Sequence, residues 1–408
     1  MAVTAESDIL TVAESKRLRC RRERGLGALC HVVLGLGAVT MLLPLLWMLS
    51  TSLKTKGSAF TYPPAWIPTR QETAVADGQQ YDVFVAALPE GRQRVGLVRQ
   101  YPGGARVVLL EGARRGQVVD FNFPPGVLAR EALRPAKQLH IVWQNYPKAW
   151  TIVELKSPVF AFRVPYALRV ELFGSTWQIG PLAFRGLRIK DAFLAWYLNS
   201  VLVAVVVTFG QVATSALAAF AFARLTFPGR DKLFLGYLGT LMIPFVVIMI
   251  PDFILLKKLR FFLYPEGMID TYAALILPSM FSAYGTFLLR QFFLTIPTDL
   301  EDAARIDGAS RLGTFWHVIV PLSKPALATL TTFVFLHSWN NYMWPLIVIN
   351  SPEKKTLPIG LQAFQGLYNT EWTLLMAASM MVILPVLLVF IFNQRFFVRG
   401  IVLTGLKA

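Results

Sequence analysis

Residues 193–222 read FLAWYLNSVLVAVVVTFGQVATSALAAFAF, a run without a single charged side chain. About 20 apolar residues suffice for a helix to cross the hydrocarbon core of a bilayer, so this run is long enough to do so. Five further runs of spanning length flank it, at 28–50, 233–256, 271–293, 326–349 and 374–397. Pro44, Pro244, Pro251, Pro278, Pro345 and Pro385 lie inside them, which membrane helices tolerate because neighbours re-satisfy the freed carbonyls. Of the 408 residues 55% are hydrophobic and 16% charged, too apolar for ordinary soluble cores. Six separated runs argue against a soluble helical bundle. The expected fold class is an all-α polytopic membrane protein with six transmembrane helices and an extracytoplasmic β-rich insertion between the first two.

The net charge of +16 does not point to nucleic acid, because the basic residues are dispersed. Lys16, Arg17, Arg19, Arg21, Arg22 and Arg24 precede the first run; Arg224, Arg230, Lys232, Arg290, Arg305, Arg311, Lys324, Arg395 and Arg399 fall on the same side if that tail is cytoplasmic. The opposite loops hold only Lys257, Lys258, Arg260, Lys354 and Lys355. The positive-inside rule therefore places both termini in the cytoplasm. Cys20 and Cys30 suggest no disulfide. No small-x-small cleavage site follows the first run, which reads as an uncleaved span.

The expected organisation is a basic cytoplasmic tail at 1–27, a first transmembrane helix at 28–50, a β-rich insertion at 69–140, a connection at 141–192, and a core of five spans at 193–408. Within the insertion 81–88, 92–101, 105–111 and 117–123 are rich in Val, Phe and Tyr and broken by Pro-Glu-Gly, Pro-Gly-Gly and Arg-Arg-Gly, the pattern of a small antiparallel sheet or barrel. Further strand-like pieces occupy 159–164, 167–172 and 177–179. Neither stretch has metal-ligand spacing, a phosphate-binding Gly loop or paired catalytic groups. A structural or partner-contacting module is the expectation.

Between the fourth and fifth runs lies Pro297–Pro325, PTDLEDAARIDGASRLGTFWHVIVPLSKP. Thr298 with Glu301 three residues on forms a capping-box pattern. Asp299, Glu301 and Asp302 sit where a helix dipole favours negative charge. Gly308 and Pro321 punctuate the end of that helix and a following turn. Small residues and acids together suit a segment that docks a partner.

Asp302-Ala303-Ala304-x-x-x-Gly308, followed by Val318-x-Val320-Pro321, resembles the EAA loop of permease subunits of ABC importers, in the carbohydrate-uptake branch that includes the smaller membrane subunit of maltose transporters. Ser52-Leu53-Lys54, Tyr62-Pro63-Pro64-Ala65-Trp66-Ile67-Pro68, Trp143-Gln144-Asn145-Tyr146, Met242-Ile243-Pro244, Trp339-Asn340-Asn341 and Thr356-Leu357-Pro358-Ile359-Gly360-Leu361 extend the likeness over most of the chain except 69–140 and 151–189. The family's usual Glu in the loop is Asp302 here, and the β-rich insertion is unusual for it. The resemblance implies that Glu301, Asp302, Ala303, Ala304, Asp307, Gly308, Ala309 and Pro321, within the coupling loop at 297–325, form an ATPase-coupling surface. Asp302 would be the acidic contact and Gly308 the point of close approach. Implied partners are a dimeric ABC ATPase subunit, a second permease subunit, an extracytoplasmic solute-binding protein, a sugar substrate and the lipid of the cell membrane. The chain lacks Gly-x-x-x-x-Gly-Lys-Ser/Thr, so ATP is expected on the partner. No catalytic residue, cofactor or metal is expected in the chain itself.

Polar groups inside spans are candidates for the substrate pathway. Asn340 and Asn341 can hydrogen-bond hydroxyls, and Trp339, Tyr342 and Trp344 offer flat faces to a sugar ring. Asn199, Gln211, Ser282, Tyr284 and Ser379 are weaker candidates, each competing with a plain interhelical hydrogen bond. An importer for a non-sugar solute is the nearest alternative. An ion-coupled transporter would need buried acids and an inverted repeat, and Asp252 alone does not supply them. A membrane-anchored sensor would leave the docking segment without a role.

Overall fold

A computed structural model describes residues 2–59, 64–88, 91–112, 114–123, 132–160, 162–163, 168–172, 175–179, 183–184, 186–259, 267–365 and 370–404, with side chains outside 2–24, 162–184 and 395–404. Tyr62, Pro63, Pro89, Glu90, Val164, Ala167 and Arg260, which carry expectations above, lie outside the described residues. The chain divides into two compact units, 1–145 and 146–408.

The first unit opens with helix α1 (Ala2–Ser52). The basic tail is thus part of the same helix as the apolar run rather than a separate segment; its many Ala, Leu, Glu, Lys and Arg residues are good helix formers. After α1 come β1 (Thr69–Gln71), β2 (Thr73–Ala76), β3 (Gln79–Leu88), β4 (Gly91–Tyr101), β5 (Gly104–Leu109), β6 (Val118–Asn122), β7 (Leu133–Pro135) and β8 (Lys137–Leu139). Strands β2 to β6 form an antiparallel meander, β7 pairs with β3, and β1 pairs with β8. Turn chemistry sets the register. Asp77 and Gly78 both have positive φ, as a two-residue type I′ hairpin requires. Gly103, also at positive φ, follows Pro102 in the β4–β5 turn, the position where a type II turn takes glycine. Alternating residues Ala86, Val95, Val107, Leu109 and Phe121 make a dry core.

The second unit contains short hairpins, β9 (Phe162–Arg163) with β12 (Ala183–Phe184) and β10 (Leu168–Leu172) with β11 (Ser175–Ile179). The helical part follows: α2 (Ala192–Arg224), α3 (Arg230–Gly239), α4 (Phe245–Lys258), α5 (Tyr272–Ile276), α6 (Ala283–Leu294), α7 (Asp299–Ile306), α8 (Arg311–Thr314), α9 (Lys324–Trp339), α10 (Met343–Val348) and α11 (Trp372–Thr404). Helix α2 lies at the centre of this unit, packing along α6 and α9 through Val203, Val207, Leu289, Phe293 and Leu330. On another face Leu202, Val205, Phe209 and Leu217 are exposed, as a lipid-facing surface requires.

Among the described residues four helices are long and apolar enough to cross a membrane: Gly25–Ser52, Ala192–Arg224, Tyr272–Leu294 and Trp372–Gln394. Two bent pairs raise the number to as many as six if each is one span. The expected run 233–256 is one of these pairs, bent by 101° between Met242 and Phe245. Pro244 has no amide to donate, so the helix stops before it. The expected run 326–349 is also not one helix. It divides into α9 and α10, because Asn340 donates its side-chain amide back to Leu336 O (2.9 Å) while the Asn341 side chain faces the amide of Trp344 (3.4 Å). Helix α9 instead pairs with Arg311–Leu322 across an 80° bend.

At one end of α2 a group of hydrogen bonds ties the helix to the 350–357 loop. Trp196 Nε1 donates to Pro352 O (2.8 Å), and Asn199 Nδ2 donates to Glu353 O (2.8 Å) and Lys355 O (2.9 Å). Tyr272 donates its hydroxyl to Asn199 Oδ1 (2.9 Å), and the Leu357 amide donates to Ser200 Oγ (2.8 Å). Asp270 ties the same loop: its carboxylate accepts from the amides of Asn350 (3.0 Å) and Ser351 (2.9 Å), the Ser351 hydroxyl and Lys354 Nζ (3.1 Å). Gly360 completes the contact. A Cβ built there would lie 2.2 Å from Trp196 Cε3, so only glycine lets the indole pass.

Two outcomes follow. Gly360→Ala should lower the melting temperature in detergent by an amount equivalent to about 1–3 kcal/mol of overpacking. Gly210→Ala, whose Cβ meets only the flexible Met280 side chain, should cost less; equal losses would contradict the rigid-indole contact. For Asp270, burial pushes the carboxyl up, but hydrogen bonds from Ser351, Asn350 and Lys354 outweigh it and hold the group below its ordinary value. The folded protein thus binds its proton more weakly than the unfolded chain. The stabilisation is complete above the usual carboxylate pKa of about 3.9 and fades as pH falls through the lower folded value. Melting curves from pH 6 downward should therefore lose a component of acid sensitivity in Asp270→Asn.

Candidate functional site

The segment after α6 is built on a buried charge. Arg224, the last residue of α2, donates through Nη2 to Phe293 O (2.7 Å) and Ile296 O (2.6 Å) at the end of α6. Its Nε lies 2.6 Å from Glu301 Oε1, with the two side chains 7% and 5% exposed. The guanidinium thus meets two carbonyls at and just past one helix end and a carboxylate from the first turn of the next helix, α7. A second arginine, Arg290, donates to Phe222 O (3.2 Å) and lies over the Phe234 ring. These contacts fix where α7 starts.

This changes two expectations. Glu301, expected on a coupling surface and as half of a capping box, is turned inward to Arg224. Thr298 has helical φ and ψ and makes no side-chain cap bond; the buried arginine claims the carboxylate that a capping box would need. Pro321 likewise does not end the segment. A π-helical turn, Phe315–Ile319, runs into Val320–Leu322, where Pro321 lies at the start of a helical piece and its missing amide costs little.

The remaining expected residues lie on one continuous stretch. Asp302 is exposed and paired with its own Arg305 (3.3 Å). Ala303, Asp307 and Gly308 are exposed, while Ala304 and Ala309 are half-buried. Gly308 has φ +83°, and a Cβ built there would meet nothing within 4 Å. Its requirement is therefore conformational, a left-handed residue closing α7, and not close approach within this chain. Around these residues Leu300, Ile306, Leu312 and Trp316 are exposed, Ile306 at 87%. Phe315 and Ile319 point the other way into the core shared with α2 and α6. The segment thus presents acids and large apolar groups outward from a firmly anchored base.

The aromatic and amide cluster at the α9–α10 break separates into two kinds of residue. Trp339 is 1% exposed, stacks on Phe335, meets Tyr197 edge-on, and donates to Val382 O (3.2 Å). Trp344 is 3% exposed and donates to Ala274 O (2.9 Å). Both are packing residues, and the pathway expectation for them gives way to burial. Asn340 and Tyr342 are exposed, Tyr342 accepting from Gln362. Asn341 lines a small polar cavity with Ser200, Ser338 and Thr356. Among the weaker candidates, Asn199 is committed to the 350–357 loop, Ser282 caps α6 by accepting from the Gly285 amide (3.1 Å), and Tyr284 is exposed. No group of three His, Cys, Asp or Glu side chains among the described residues is arranged to hold a metal ion.

Sequence reasoning treated Arg224 only as an orientation charge. Its position directly after a long apolar run, with acids on the next loop, was the available signal. The ion pair makes a sharp expectation. Glu301→Ala leaves a buried cation unpaired and should destabilise by about 3–5 kcal/mol. Asp302→Asn removes an exposed pair worth at most about 1 kcal/mol. Thermal unfolding of the two variants in the same detergent should separate them clearly, and equal losses would refute the inward role of Glu301.

Residues 215–402 match the family model described as "Binding-protein-dependent transport system inner membrane component". The chain is 39% identical over 215 residues to the arabinooligosaccharides transport system permease protein AraQ of Halalkalibacterium halodurans, covering 53% of this chain and 75% of that protein. It is 40% identical over 207 residues to the sn-glycerol-3-phosphate transport system permease protein UgpE of Pectobacterium atrosepticum, covering 50% of this chain and 71% of that protein. With the helical core, the anchored loop and relatives matched over more than two thirds of their length, the chain belongs to the family of inner-membrane permease subunits of binding-protein-dependent ABC importers, whose ATPase is a separate subunit.

Proposed function

We propose that the chain translocates a sugar or oligosaccharide inward by alternating access, driven by a partner ATPase docked on α7 and the turn after it. The observation that carries this is the outward surface of that segment. Its exposed apolar residues Leu300, Ile306, Leu312 and Trp316 are interleaved with Asp302 and Asp307, while its base is bonded through Glu301 to a long spanning helix. Large exposed apolar groups beside charges mark a protein contact. In this reading both termini and the coupling segment face the cytoplasm, and the β-rich unit at 69–140 faces outward. A second permease subunit completes the pathway, and a solute-binding protein delivers substrate.

The name of the arabinooligosaccharide relative supports a carbohydrate, and Asn340 and Tyr342 supply exposed groups suited to hydroxyls. The glycerol phosphate relative supports a second reading, a small non-sugar solute handled by the same architecture.

Ile306→Arg with Leu312→Arg, in the assembled transporter, should cut ATP-dependent uptake more than tenfold and weaken co-purification of the ATPase, while the chain itself remains monodisperse. Undiminished uptake by that variant would sink the docking assignment. Uptake competition between oligosaccharides and phosphorylated polyols decides between the two substrates.

A further inference from the structure

The first unit holds a cavity that transport by the second does not explain. It has a volume of about 210 Å³ and is lined by Lys54, Thr55, Ser58, Arg70, Gln71 and Lys137, with Ala65, Ile67 and Thr69 closing it. Its lining has three basic side chains and no acid.

Two of these groups are buried donors short of acceptors. Lys54 is 2% exposed. Its ammonium lies 4.0 Å from the centre of the Trp47 ring, and the polar contact recorded for it is the Thr51 hydroxyl at a long 3.4 Å. An ammonium has three donors, so a weak bond and a ring face leave it short of partners. Among the described residues Lys54, Arg70 and Lys137 form no ion pair. Gln71 Nε2 is likewise buried without an acceptor. Unpaired buried charge and orphan amides are both costly, and here they share one cavity.

The surrounding chain fixes this arrangement. Asn145 donates its side-chain amide to Ser52 O (2.7 Å) and Lys54 O (2.8 Å), holding the exit from α1. Trp66 packs edge-on against Trp47 (5.1 Å), and Ser50 donates to Trp66 O. The β1–β8 register sets Gln71 opposite Lys137, and directly opposed residues of an antiparallel pair project to the same face. The Thr55 hydroxyl donates to Ser58 Oγ (3.1 Å). Burial depresses the Lys54 pKa, the expected effect on a cation lacking a counter-charge.

We propose that this cavity binds one oxyanion of the phosphate class. Lys54 and Gln71 supply the inner donors, and Arg70 and Lys137 supply charge at the rim. The cavity begins two residues after the end of α1, at the level where a spanning helix leaves the hydrocarbon. A phosphate group there comes either from a lipid headgroup or from a soluble phosphate compound, and the chemistry of recognition is shared.

The full chain in phosphatidylcholine nanodiscs distinguishes the two sources. In one arm, inorganic phosphate is titrated calorimetrically. In the other, nanodiscs doped with phosphatidylglycerol are examined by native mass spectrometry for retained lipid. One saturating equivalent of phosphate supports a soluble ligand, and one retained phosphatidylglycerol supports a headgroup. Lys54→Met should weaken whichever is seen at least about tenfold, as loss of a charge-assisted bond predicts. Should that variant fail to fold, Gln71→Leu combined with Lys137→Ala, which leaves α1 untouched, should give a comparable loss. Absence of both ligands on the wild-type chain, or binding unchanged in these variants, overturns the proposal.

Discussion

Arg224 is the residue on which the second unit turns. A guanidinium removed from water is costly unless its charge is met; here Nη2 donates to two carbonyls at and just past the end of α6, and the Glu301 carboxylate pairs with Nε. The geometry is demanding, so it positions three pieces of chain at once: the end of α2, the end of α6 and the start of α7. The exposed face of α7 then follows by helix periodicity. With Glu301 turned in, residues 302, 303, 306 and 307 fall toward the outside, which is how a helix one turn longer than its anchor must present itself.

The spans were legible in the sequence because lipid imposes a length and a composition together. The β4–β5 hairpin was legible because Pro102 fixes its own φ and Gly103 can take the positive φ that the turn needs; the Asp77-Gly78 turn carries the same kind of signal but was not read from the sequence. Interruptions inside apolar runs were harder to read. Pro244 was visible as a proline but not as a bend of 101°, since membrane helices also carry proline without breaking. The break at Asn340 and Asn341 depends on side chains that satisfy the backbone locally, an outcome that hydropathy does not encode. The candidate site was legible as a stretch and not as a face. Which acid is buried depends on Arg224, 77 positions earlier, and the cavity beside Lys54 joins residues that have no local pattern.

Asn199, Trp339 and Trp344 looked suited to a sugar, yet each makes hydrogen bonds to backbone carbonyls. Broken helices leave carbonyls unpaired, and in a low-dielectric interior these must be met by side chains. Asn199 thus serves the 353–355 loop and Trp344 a carbonyl of the short helix α5, while Trp339 bonds to a carbonyl of the continuous helix α11. Asn340 and Tyr342 remain exposed because they lie at the break itself.

Helix α2 is a single rod of 33 residues, about 50 Å long against a hydrocarbon core of about 30 Å. It is clamped at both extremities, by Trp196, Asn199 and Ser200 to the 352–357 loop and by Arg224 to the base of α7. An unbroken helix carries displacement along its axis with little loss, whereas the neighbouring bent pair can fold. Linkage between sites is reciprocal. If a ligand at one extremity of α2 shifts the equilibrium at the other, the reverse shift carries the same free energy.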